Sequence, residues 1–249
     1  MIQNHILQLL CLVAMEPPVS FDADPVRDEK TKVLRAIRAI PPDKVDEAAV
    51  RGQYGPGFLE ARRVPGYRDE KGVAPDSTTE TFAAFKLFVD NWRWAGVPFY
   101  LRTGKRLPKR ASEIAIQFWG TPHPLFRRPD PADRLDPNLL VVRIQPDEGI
   151  ALTFGAKLPG PEINIRQVTM DFRYGASFGG EPPEAYERLL LDAIHGDATL
   201  YARGDWVDLA WQVLTPVLEA WGAGPAPKFP NHEAGTWGPA EADAFIERD

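Results

Sequence analysis

A single cysteine, Cys11, in 249 residues leaves no intrachain disulfide to form. Its neighbours Leu9, Leu10, Leu12 and Val13 are apolar, which predicts a buried, unreactive thiol. A chain without disulfides suits a reducing compartment. Long hydrophobic runs are missing too. The apolar stretch 6–15 is far too short to span a bilayer, and it has neither a basic leader nor a small-residue cleavage site. The cytoplasm is the expected location. Positive charge is in deficit, with 29 Lys and Arg against 35 Asp and Glu and a net charge of −6. That argues against nucleic acid and against an anionic membrane as partners. No Cys/His spacing fits a metal site. No Gly-x-Gly-x-x-Gly follows a strand and no phosphate-cradling Gly-x-x-x-x-Gly-Lys run occurs; Gly55-Pro56-Gly57 reads as a turn. No internal repeat is evident.

What remains is ordinary globular composition, 44% hydrophobic and 26% charged, in a length that allows one large domain or two small ones. Residues 2–15 read as a buried helix with Ile2, Ile6, Leu9, Leu10 and Val13 on one face, ended by Pro17-Pro18. A second helix is expected from DPVRDEKTKVLRAIRAI, with Asp24 as cap and Pro25 in the first helical position. Its apolar face is Val26, Val33, Leu34 and Ile37, and Pro41-Pro42 stops it. The Gly-, Pro- and Arg-rich stretch 50–76 reads as a loop or lid. STTETFAAFKLFVDNWRWAG reads as a helix, with Ser77 and Glu80 as capping box and Phe82, Phe85, Leu87, Phe88 and Trp92 in the core.

The period then changes from 3.6 to 2. VPFYLRTGK, EIAIQFW, LLVVRIQP, GIALTFGAK and QVTMDFRYG predict five strands of a largely antiparallel sheet with one covered face. Residues 129–138 read as an exposed loop. Helices follow over PPEAYERLLLDAIHG and DWVDLAWQVLTPVLEAW. A Gly/Pro-rich tail spans 222–240, with a short last helix over 240–248. Helices, then strands, then helices predict an α+β fold: a large, mainly antiparallel sheet with helices on one face.

Two features stand out chemically. The first is Gln3-Asn4-His5, an imidazole flanked by amides at the start of an apolar helix. An imidazole in such a setting can serve as a base near neutral pH, although a lone histidine on a buried helix is more often structural. The second is LRTGKRLPKR, where Lys105, Arg106, Lys109 and Arg110 gather four cations beside a glycine turn. Such a patch can hold a phosphate or a polyol; its plainer reading is a solvated hairpin tip. His123, His195 and His232 read as solvated or structural, His195 beside Asp192 marking a helix end near Gly196.

MIQNHILQLLCLVAMEPP resembles the helix that carries the catalytic histidine in glucose-6-phosphate dehydrogenases. The resemblance runs on through VRDEKTKVLRAI, STTETFAAFKLFVDNWRWAGVPFYLRTGKRLPKR, LVVRIQPDEG, EAYERLLLDAIHGDATLYARGDWVDLAW and GPAEAD. It covers nearly the whole chain in family order; only 52–76 and 120–137 are not distinctive. It implies that His5 is the general base that removes the C1 hydroxyl proton of glucose 6-phosphate as hydride leaves for the nicotinamide of NADP. By the same resemblance Lys105 and Arg110 bind substrate, with Lys109 competing with Arg110, and Gln145 lies near the sugar. Arg110 stands where many bacterial members have lysine, which keeps the charge and changes its geometry.

The family's dinucleotide-binding domain, its Asp-His-Tyr-Leu-Gly-Lys-Glu segment and the Asp preceding the Met-Ile-Gln-Asn-His run have no counterpart among residues 1–249. The resemblance is therefore to the C-terminal domain alone, expected to be inactive in isolation and to form a homodimer through its sheet, which in the family has about nine strands. Arg102, Arg143 and Asp171 match parts of a second, structural NADP site of some members. Ala111, Ala115 and Trp237 replace its cations, so that site is expected to be absent or very weak. A reading from another class stays open: a non-catalytic dimerisation or sugar-phosphate-binding module.

Overall fold

The computed structural model describes residues 1–120, 136–161, 163–179 and 185–247. The helices are α1 (Leu7–Ala14), α2 (Ala23–Ala36), α3 (Val45–Ala48), α4 (Tyr174–Phe178), α5 (Ala185–His195), α6 (Gly204–Ala223) and α7 (Ala240–Glu247). The strands are β1 (Ala49–Gly52), β2 (Tyr54–Gly55), β3 (Gly57–Leu59), β4 (Arg62–Val64), β5 (Phe82–Phe88), β6 (Pro98–Gly104), β7 (Ser112–Gln117), β8 (Leu139–Gln145), β9 (Gly149–Lys157), β10 (Ile165–Arg173) and β11 (His232–Glu233). They fall into two compact units, one of Met1–Lys109 with Tyr186–Asp249 and one of Arg110–Ala185.

The first unit is built on the antiparallel order β1-β5-β6. From the central strand β5, Ala83, Phe85 and Leu87 enter one core with Leu7, Leu10 and Cys11 of α1, Val33 and Leu34 of α2, and Trp206, Ala210, Leu214 and Val217 of α6. Phe82 and Ala84 point to the opposite face and meet Ala242 of α7. The second unit is the antiparallel sheet β10-β9-β8-β7. Here the two-residue period sorts the faces. Val142 lies beside Ile114 on one side and Ile150 on the other, and Ile150 beside Phe172. Arg143 and Asp171 lie in the alternate register and are ion-paired at 2.6 Å. All five period-2 runs are strands and the class is α+β, with those five strands divided between two antiparallel sheets.

The helix expected over 77–96 is instead strand β5. Four consecutive buried residues begin it, because both faces of the sheet are covered and every position must be apolar. The local helix-start signal loses: the Ser77 hydroxyl accepts the N–H of Thr79 and never reaches Glu80. Trp92, assigned to the core, is fully exposed. The stretch 50–76 is not one loop, since it supplies an edge strand and the short pairs of β2, β3 and β4.

The first helix opens as a π-turn over Ile2–Ile6, with the Ile6 N–H reaching Met1 O at 3.3 Å. That turn rephases the helix. Leu7, Leu10, Cys11 and Ala14 are buried, whereas Ile2, Ile6, Leu9 and Val13 of the expected stripe are only half-buried. Helix α2 is capped at Asp22 rather than Asp24, so Pro25 is its third residue, where the missing N–H is still free of an intrahelical partner. It ends at Ala36 because Ile37 turns extended and bridges Val89. Of the loop expected at 129–138, positions 129–135 lie outside the described residues.

Cys11 is fully buried, and burial pushes its thiol up to about 12, the inert state its neighbours predict. Lys30 is buried as well, and desolvation pulls its ammonium below the usual lysine value. No helix among the described residues is long and apolar enough to cross a membrane.

Because Phe85 is 2% exposed and packs against Trp221 with ring centroids 5.8 Å apart, Phe85→Ala should destabilise the chain by about 3–5 kcal/mol. Urea unfolding followed by tryptophan fluorescence measures this, and a loss under about 1 kcal/mol would contradict the central place given to β5.

Candidate active site

Strand β6 delivers the cationic tip. Beyond Gly104 the Lys105 N–H donates to Thr81 O at 2.8 Å, which prolongs the β5–β6 ladder by one bond. Lys105 and Lys109 are exposed. Arg106 is different. Its backbone lies in the left-handed region at φ +54°, uncommon for a residue with a Cβ. Its guanidinium donates to Glu70 Oε1 at 2.6 Å. The Tyr54 hydroxyl donates to the same oxygen at 3.3 Å. Tyr54 is 5% exposed, and burial raises its hydroxyl above the usual phenol value. Arg106 O accepts the N–H of Gly235 at 2.8 Å.

Gly235 belongs to a strap, 231–239, that crosses this region. His232 and Glu233 of β11 pair in parallel with Tyr54 and Gly55 of β2. Asn231 brackets Gln53, accepting its N–H through Oδ1 at 2.9 Å and donating its own N–H to Gln53 O at 3.1 Å. Two glycines make the approach possible. A Cβ on Gly57 would lie 2.1 Å from Ala234 O, and one on Gly235, at φ +85°, 1.9 Å from Phe58 O. The strap and Glu70 are invisible to sequence patterning, because two-residue strands carry no periodicity and Glu70 sits in a stretch without a regular pattern.

His5 occupies the π-turn and is exposed. That turn packs against β6 and α6, so the imidazole stands on the element beside the strand that leads into Lys105. The second unit holds the other two expected residues. Arg110 is exposed just before β7, and Gln145 ends β8 opposite Ser112 of β7. Each unit thus brings its own pair of candidates onto neighbouring elements.

The residues matched to a structural dinucleotide site are already engaged. Arg102 lies 5.0 Å over the Trp237 ring and 3.8 Å from Asp243. Asp171 accepts from Arg143 at 2.6 Å and from Arg173 at 3.1 Å, and the Arg143 contact above all holds its carboxyl below the usual range. Arg102 and Arg143 each stand beside one of the chain's own carboxylates, and Arg102 also stacks on an indole. No cluster of three metal-ligating side chains occurs among the described residues.

The histidines outside the π-turn read as expected where they are described. His195 ends α5 before Gly196 at φ +73°. His232 is structural: its Nδ1 faces Glu233 O at 3.1 Å, its ring stands edge-on to Phe82 at 5.8 Å, and its Nε2 is enclosed without a partner. His123 lies outside the described residues.

Residues 1–249 match the family described as glucose-6-phosphate dehydrogenase, C-terminal domain. The chain belongs to this family. Among curated glucose-6-phosphate 1-dehydrogenases, that of Chlamydia pneumoniae is 51% identical over 250 residues, covering 100% of this chain and 48% of the relative. That of Aggregatibacter actinomycetemcomitans is 50% identical over 248 residues, covering 100% and 49%. A solved glucose-6-phosphate dehydrogenase in complex with its substrate glucose-6-phosphate superposes with a TM-score of 0.85 at 38% identity, covering 99% of this chain and 49% of that one. The crystal structure of glucose-6-phosphate 1-dehydrogenase from Mycobacterium avium gives 0.80 at 38% identity, covering 99% and 48%. The chain spans about half the length of these dehydrogenases.

Burial holds the His232 imidazole below its ordinary value. Above about pH 6.5 the ring is neutral in folded and unfolded chains alike and costs nothing. As pH falls from there through the lower folded value, the unfolded chain takes the proton first and stability is lost. His232→Phe should therefore lose less stability than the parent between pH 7.5 and pH 5 in thermal unfolding. Equal losses would remove the buried imidazole as the cause.

Proposed function

We propose that this chain is the substrate-binding and dimerisation part of an NADP-dependent glucose-6-phosphate 1-dehydrogenase, which oxidises glucose 6-phosphate to the lactone in the pentose phosphate pathway of the cytoplasm. The observation that carries this reading is the packing of the His5 turn against β6. It puts His5 on an element adjacent to the strand that leads into Lys105, which supports reading the one as a proton acceptor and the other as a phosphate-binding cation. The family membership and the substrate complex of a structural relative support the choice of sugar phosphate.

In this reading Lys105 binds substrate as a mobile point charge and Arg110 as a planar fork. The Gln145 amide hydrogen-bonds a sugar hydroxyl. A ring nitrogen of His5 takes the C1 hydroxyl proton, which lets the C–O bond shorten towards the carbonyl. NADP, the hydride acceptor, would be held by residues outside these 249, and the isolated chain is expected to be inactive.

Dimerisation is assigned to the apolar face of the β10-β9-β8-β7 sheet. Met170 is 64% exposed there, with Ile150 at 40% and Val168 at 38%, a surface that a two-fold contact would remove from water. Sedimentation at tens of micromolar should give a dimer and Met170→Asp a monomer; a monomeric parent would count against this face.

His5→Asn, in an enzyme that joins this chain to the dinucleotide-binding half of a relative, should lower kcat by about two to four orders of magnitude. Substrate KM should change little. Lys105→Ala should do the reverse, mainly raising KM. Steady-state kinetics with parallel melting curves separates these roles from mere destabilisation: a folded His5→Asn enzyme with parental kcat would remove His5 from the mechanism.

A further inference from the structure

Resting on the reading of Lys105 as a phosphate-binding residue, we infer that Glu70 is a positioning residue that acts through Arg106 to fix the backbone from which the Lys105 side chain reaches the phosphorylated sugar. Four cations crowd the tip of 105–110, and they are not equivalent. Arg106 is taken up by Glu70 at 2.6 Å, whereas Lys105 and Lys109 are exposed and have no carboxylate paired with them among the described residues. The backbone of Arg106 is left-handed at φ +54°, a conformation that costs a non-glycine residue free energy and persists only where its surroundings enforce it.

Two contacts enforce it. Gly235 of the strap donates to Arg106 O at 2.8 Å. Glu70 anchors the guanidinium, and its other donor, Tyr54, is fixed by burial and by edge-on contact with Tyr67 at 5.8 Å. The residue before this locked turn is Lys105, whose own N–H is bound to Thr81 O. Its Cα and the start of its side chain are therefore set from both sides, and only the flexible stem remains free. Glu70 also keeps Arg106 occupied, so that the wider guanidinium does not compete for the same phosphate.

The sign of the effect tests this. Glu70→Gln removes a negative charge near an anion site. If Glu70 were only a nearby charge, the substitution would tighten binding of the sugar phosphate. A positioning role demands weaker binding despite the favourable charge change. In the full-length enzyme carrying this chain, Glu70→Gln should raise the KM for glucose 6-phosphate by about tenfold, the scale of one charge-assisted hydrogen bond, and leave kcat within about twofold. Amide exchange at Lys105 and Gly235 should accelerate in the same variant. Tyr54→Phe, which keeps every charge, should shift KM the same way by a smaller factor, and it serves as the test if Glu70→Gln fails to fold. A KM that is unchanged or lower in Glu70→Gln, alongside a raised KM in Lys105→Ala, overturns the positioning role. An unchanged KM in Lys105→Ala overturns the reading of Lys105 itself.

Discussion

Strand β5 is hydrogen-bonded along both edges and covered on both faces, and the first unit is organised around that constraint. Its register with β1 aligns Phe85 with Ala49, and its register with β6 aligns Phe85 with Leu101. Alternate residues feed two cores. The larger one gathers α1, α2 and α6, and the smaller one receives α7. The turn that carries His5 and the strand that delivers Lys105 are both placed by packing against this assembly. The candidate chemistry thus inherits its geometry from an apolar strand that contributes no functional group.

The same strand shows where sequence reading stops. FAAFKLF has no two-residue alternation, because a strand buried on both faces has no polar side to display. A serine and a glutamate three residues apart ahead of it imitate a helix start. Where a sheet has one polar face, as with Arg143 and Asp171 behind Val142 and Ile150, the alternation was plain and the four runs of that sheet were legible. Helices α5, α6 and α7 were legible from their periodicity and their glycine or proline ends. The phase of the first helix was not, since a π-turn inserts its extra residue without any signature in MIQNHI.

His5, Lys105, Arg110 and Gln145 were reached through resemblance and residue chemistry. Their support was out of reach. Glu70, Tyr54 and Gly235 converge on Arg106 from segments that are distant in sequence and lack pattern. A carboxylate in a Gly- and Pro-rich stretch reads as solvated until a fold brings a guanidinium to it. The cluster of cations was visible as a count; the division of labour among them required coordinates.

The clasp between Gln53 and Asn231 joins residues 178 positions apart. Its consequence lies in the order of assembly during synthesis. The β1-β5-β6 sheet can pair once residue 104 has left the ribosome, but the strap that fixes the turn at Arg106 is made more than 120 residues later. At about 5–20 residues per second, the interval between emergence of Gln53 and of Asn231 is about 10–35 s. Through that interval β2 lacks its partner β11, and once the tip of β6 has emerged it too waits for the strap.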